Sequence, residues 1–176
     1  VLNVLGLDPS GDLRPLGAEG AGIVRRAGST ALLRAGARVF GLATGCAMRL
    51  IRQAGRYRAA VPRVLDFEQA ATLPVVWTTA HFCLCEARPA CGSAALLHSV
   101  SGAVGLSALE YTCWIRAAVL GTAGNRHKHA FCVPMRRHAR ASSRSPQALA
   151  HAAGRLLRGH RLRLALTALS KDFQPV

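Results

Sequence analysis

Between Leu96 and Ala108 an apolar strand-like run, Leu96-Leu97, gives way to the small residues His98-Ser99-Val100-Ser101-Gly102. The amphipathic run Ala103-Val104-Gly105-Leu106-Ser107-Ala108 follows. Such an order hands a β-strand over to an α-helix whose N-terminal N–H groups can hold a pyrophosphate. Glycine at Gly102 lets backbone N–H groups approach phosphate oxygens, and glycine at Gly105 lets the helix pack closely on its strand. The dinucleotide fingerprint G-x-G-x-x-G would put its first glycine at Val100, so two of its three glycines are present. Ser101, Gly102, Ala103, Val104 and Gly105 are the candidate phosphate-binding residues.

A second apolar run, Ala117 to Gly124, begins about one helix later, and the two runs read as one β-α-β unit. An acidic residue near the end of the second strand would select the unphosphorylated cofactor by gripping its ribose 2′-hydroxyl. Asn125-Arg126-His127-Lys128 stands there instead. Cations at that place suit a 2′-phosphate, so the unit favours NADP(H) over NAD(H), with Arg126 and Lys128 as the candidate contacts. A basic loop after an ordinary parallel strand is the competing reading.

The chain has 176 residues, 51% of them hydrophobic, which fits one domain of ordinary size or two small ones and argues against disorder throughout. No stretch approaches the roughly 20 apolar residues of a membrane span, so no membrane partner is expected. The formal net charge is +15, carried by 21 Arg and only 2 Lys. The excess lies in residues 111–176, which hold 12 basic residues and one acid, Asp172. Such a half could contact nucleic-acid phosphates, but aromatics are sparse and no nucleic-acid-binding motif is present, so solvated basic faces are the simpler reading. The six cysteines form no C-x-x-C pair. They read as free thiols in a reducing compartment, which points to the cytoplasm, and no metal site is expected.

The pattern of elements follows from turns and caps. Residues 17–24 and 37–43 read as strands, and residues 49–63 are ambiguous. Asp66 can cap a helix beginning at Phe67, Pro74 breaks or redirects it, and residues 76–87 read as a further helix. Strand 94–99, helix 104–115, strand 117–123 and helix 126–133 form a β-α-β-α core, with Pro134 and Arg136 damaging the last helix. Pro146 fits the first turn of a helix that ends near Gly159. Leu162, Leu164, Leu166 and Leu169 then read as a buried strand. Arg163 conflicts with that strand, because a central parallel strand is buried on both faces.

From Pro15 onward the chain resembles the enoyl reductase domain of polyketide and fatty acid synthases. That family lies in the zinc-free, quinone-oxidoreductase-like branch of the medium-chain dehydrogenase/reductase superfamily. Its P-L-G-x-E-x-A-G-V-V segment is similar to Pro15 through Val24, and its G-D-R-V-x-G-L to Gly36 through Leu42. The S-x-E-x-A-A-T-L-P-V-x-x-x-T-A segment is matched from Asp66 to Ala80, H-x-A-x-G-G-V-G from His98 to Gly105, and T-A-G-x-x-x-K from Thr122 to Lys128. Ser142-Ser143-Arg144 and Leu166 through Ser170 resemble later landmarks in the expected order.

The resemblance implies an α/β fold. Residues 1–75 would be a partial GroES-like, β-rich catalytic domain, and residues 76–176 a truncated Rossmann-type, doubly wound NADP-binding domain. It implies NADPH-dependent reduction of an enoyl thioester on an acyl carrier protein, with other synthase domains as partners, and leaves a homodimer of the full-length protein open. Lys128 matches a family lysine proposed as a proton donor, Thr79 a position near the nicotinamide, and Thr122 and Ala123 the adenosine-ribose region, with Gly124 a further cofactor-binding candidate.

The departures from the family are specific. Val1 falls inside the family's first domain, Ala37 and Ala103 replace a family Asp and a family Gly, and Arg163 and Thr167 replace an Asp and an Asn. No Asp follows Ser142-Ser143-Arg144 closely. The chain therefore reads as a fragment, with these 176 residues alone weakly active or inactive. An inactive structural remnant, a quinone oxidoreductase and, last, an Arg-rich nucleic-acid binder are the alternatives.

Overall fold

The computed structural model describes residues 15–29, 31–131 and 138–167. The expected damage at Pro134 and Arg136 and the Leu169-Ser170 landmark lie outside them. The chain divides into two compact units, Val1–Val75 and Val76–Val176.

The first unit is built on an antiparallel sheet. β1 (Glu19–Ile23) pairs with β2 (Arg38–Leu42), and β2 with β3 (Arg58–Ala60). Residues 49–63, ambiguous in the sequence, hold one short strand preceded by a 3-10 turn at Gly55–Tyr57. Gly41 is required in β2: its φ is +154°, and a Cβ there would collide with the Tyr57 carbonyl oxygen. Helix α1 (Phe67–Ala71) opens on a complete capping box. The Asp66 carboxylate accepts the Gln69 N–H at 2.7 Å, and the Gln69 side chain accepts the Asp66 N–H at 3.1 Å. Arg38 ties this helix to the sheet, its guanidinium lying 4.7 Å from the centre of the Phe67 ring.

The second unit is a parallel sheet with helices. It contains α2 (Pro74–Ala87, counted from Val76), β4 (Ala94–Leu97), α3 (Ala103–Trp114), β5 (Ala118–Ala123) and α4 (Arg126–Phe131). β6 (His138–Ser142), α5 (Pro146–Leu157) and β7 (Leu162–Leu166) complete it. The strand order is β6-β5-β4-β7, all parallel. β4 reads Ala-Ala-Leu-Leu and is buried at every position, as a strand covered on both faces must be. On one face Leu84, Ala95, Leu97, Leu109, Val119 and Leu166 share a core cluster, and on the other Leu96, Leu120, Ala141 and Ala152 pack together.

The structure corrects three expectations. The first strand of this unit stops at Leu97 rather than at residue 99, because Ser99 turns into the left-handed region at φ +53°. β6 was not anticipated, since its run His138-Ala139-Arg140-Ala141-Ser142 lacks the apolar signature of a central strand. The Arg163 conflict disappears, because β7 has a partner only on its β4 side among the described residues and Arg163 is exposed.

Candidate nucleotide site

In a doubly wound sheet, ligands bind outside the carboxyl ends of the strands where the strand order reverses. Here the chain runs outward from β4 through β5 to β6 and then returns to β7 on the other side of β4. The reversal therefore lies at the carboxyl end of β4, where residues 98–102 lead into α3.

This turn is held from below by β5. The Val100 N–H donates to the Thr122 carbonyl at 2.9 Å, and the Ser99 N–H to Thr122 Oγ1 at 3.2 Å. His98 Nδ1 lies 3.2 Å from the same hydroxyl oxygen. Burial lowers the His98 pKa from its ordinary 6.5, favouring the neutral ring. In either neutral tautomer the ring and the Thr122 hydroxyl can share one hydrogen bond, and Oγ1 keeps a lone pair for the Ser99 N–H. The Gly102 N–H then donates to the Ser99 carbonyl at 2.9 Å.

Gly102 is the N-cap of α3 and, having no side chain, leaves the first N–H groups of the helix without a side-chain cap. Those groups and the helix dipole suit an anion. Ser101, Gly102 and Val104 are half-buried, and Ala103 is exposed. Gly105 is fully enclosed: a Cβ would stand 2.5 Å from the Ser99 carbonyl oxygen and 2.7 Å from Val100 Cα. Val100, at the first fingerprint position, is buried, and a Cβ on Gly121 would meet its side chain at 3.0 Å. The bulk of Val100 is thus accommodated by the absence of a side chain on β5.

The sequence candidates divide. Ser101 to Gly105 sit together at the switch point. Thr122 and Ala123 are buried, and the Thr122 hydroxyl is committed to the turn. Gly124 continues β5 outward, and Arg126 and Lys128 are exposed on the first turn of α4, where the Lys128 N–H is held by Asn125 Oδ1 at 2.9 Å. Thr79 is exposed on α2, an element separate from the turn.

One residue was missed as a contact. β5 and β6 align Ala123 with Ser142, so the loop after β6 emerges beside Gly124. The Arg144 Nε and Nη2 atoms lie 3.8 Å from the position a Gly124 Cβ would occupy. The Ser-Ser-Arg landmark was the available signal, but without β6 nothing placed it next to β5. Arg126, Lys128 and Arg144 are exposed and make no ion pair among the described residues, so their charge is available to an anionic ligand.

No protein-family profile matches this chain. A highly reducing polyketide synthase of Didymella fabae is 34% identical over 130 residues, which are 73% of this chain and 7% of that protein. The CurK enoyl reductase structure superposes with a TM-score of 0.85 at 25% identity, over 97% of this chain and 55% of that one. An Escherichia coli quinone oxidoreductase solved with NADPH superposes at 0.81 and 26% identity, over 95% and 52% of the two chains. The chain thus spans about half of each solved protein and a small part of the synthase. No described helix is long and apolar enough to cross a membrane.

Proposed function

We propose that this chain, a homologue of highly reducing polyketide synthases with the medium-chain dehydrogenase/reductase fold, forms the nucleotide-binding part of an NADPH-dependent enoyl-thioester reductase. Residues 1–75 then correspond to part of the GroES-like catalytic domain and residues 76–176 to part of the Rossmann-type domain. The observation that carries this reading is the uncapped N-terminus of α3 at the topological switch point, with Arg126 and Lys128 on the helix after β5 and Arg144 in the loop after β6.

Bound NADPH would supply hydride to the β-carbon of an enoyl thioester. The chain's own residues bind and orient. The N–H groups at the start of α3 hold the pyrophosphate. Arg126 and Arg144 neutralise the 2′-phosphate, with charge-assisted hydrogen bonds that a 2′-hydroxyl would not reward. Lys128 serves either that phosphate or proton delivery to the substrate α-carbon. The carrier-bound acyl chain and the other synthase domains are the partners this role requires.

Fluorescence titration with NADPH and NADH tests the reading. Saturable binding that prefers NADPH should fall about tenfold in Arg126→Ala and in Arg144→Ala, with NADH affinity unchanged. A folded chain that binds neither nucleotide would make the site a relic. In a longer active protein, Lys128→Met that raises only the KM for NADPH assigns Lys128 to the phosphate, and one that lowers only kcat assigns it to proton delivery.

The likeness to the NADPH-bound quinone oxidoreductase favours a second reading, reduction of a quinone. Comparing a crotonyl thioester with a quinone as acceptor, with NADPH in both assays, separates the two.

A further inference from the structure

The resemblance puts Thr122 in the region that contacts the adenosine ribose, yet the residue has 0% of its surface exposed. Its carbonyl and hydroxyl oxygens both bond the β4–α3 turn. Its carbonyl accepts the Val100 N–H at 2.9 Å, and its hydroxyl accepts the Ser99 N–H at 3.2 Å and meets His98 Nδ1 at 3.2 Å. The residue so gripped, Ser99, is in the left-handed region at φ +53°, a backbone conformation that costs a non-glycine residue energy unless its surroundings hold it there. The Ser99 carbonyl in turn receives the N–H of Gly102, the N-cap of α3.

We propose that Thr122 is a positioning residue rather than a ligand contact. Its hydroxyl fixes the left-handed backbone at Ser99, and through Ser99 it sets the direction in which the first N–H groups of α3 point. The consequence for affinity rests on the nucleotide-site reading above; the latch itself does not. The same geometry explains why a non-glycine residue is tolerated at position 99, since the neighbouring strand supplies the constraint that the side chain opposes.

The experiment pairs NADPH titration with amide hydrogen exchange by NMR on the whole chain. Thr122→Val keeps the shape and removes the hydroxyl. It should speed exchange at Ser99 and weaken NADPH binding roughly three- to tenfold, as expected for one lost buried hydrogen bond. Thr122→Ser should retain both properties. Ser99→Gly, which adopts positive φ without strain, should make the Thr122→Val change nearly silent for affinity.

An equal affinity loss from Thr122→Val in the native chain and in the Ser99→Gly variant would overturn the proposal, because Thr122 would then act on the ligand without Ser99. Unchanged Ser99 exchange in Thr122→Val would also overturn it, as would a Thr122→Ser variant as impaired as Thr122→Val. If Thr122→Val does not fold, the native chain still decides: Ser99 exchange as fast as in an unfolded chain rules the latch out. If the native chain binds no NADPH, the functional reading fails, and the exchange measurements judge the latch separately.

Discussion

The two units use their hydrophobic residues differently. In the second, a parallel sheet is covered on both faces, and the two core clusters found among the described residues both belong to it. In the first, Ile23 at the end of β1 is 63% exposed and Leu32, in the connection from β1 to β2, 97% exposed, and Arg58 Nη1 is buried without a partner among the described residues. The contrast teaches where geometry can be held to fractions of an ångström. A turn anchored on two buried parallel strands can keep a strained residue such as Ser99 in place. Among the described residues the first unit has no such buried cluster to anchor a strained turn.

Three experiments would break or sharpen this comparison. Gly105→Ala should have a large effect, because its new Cβ meets backbone atoms of Ser99 and Val100 that cannot move without disturbing β4. A loss of about 3 kcal/mol in urea unfolding is expected. Next, Leu97→Ala, at a fully buried position of β4, should cost about 2–5 kcal/mol, whereas Ile23→Ala should stay within about 0.5 kcal/mol. Comparable losses in the two variants would show that the first unit has a core as demanding as the second.

The smallest effect is on pH dependence. The folded-state pKa of His98 lies below its ordinary 6.5, so the unfolded chain binds its proton more readily. Keeping His98 neutral therefore adds stability that is full above pH 6.5 and shrinks as pH falls below it. Thermal melts between about pH 7.5 and 5.5 should show a decline that is reduced in His98→Gln. An unchanged decline would remove His98 from the account of the turn.

Much of the second unit was legible because its signals are local. The apolar runs before Gly102 and Gly124 give strands, and Ser145-Pro146 gives a capped helix start. In the first unit Asp66 gives a helix cap in the same way, and the structure adds Gln69 to complete a capping box. β6 was not legible, since His138-Ala139-Arg140-Ala141-Ser142 carries too little apolar character for a strand. Its formation depends on pairing with β5, which no local pattern announces. Arg163 misled for the related reason that strand order is not written in the strand itself: among the described residues β7 pairs only with β4.

The sequence by itself determined the strand–turn–helix at Leu96 to Ala108, the cations after β5, and the ordered motifs that carry the family resemblance. These follow from steric limits and charge within short windows. Only the tertiary structure decided that the turn lies at the switch point, that Arg144 stands beside Gly124, and that the Thr122 hydroxyl accepts the Ser99 N–H. Each of these joins residues some 20 or more apart in the chain through strand order and register, which are set by pairing and burial rather than by local preference.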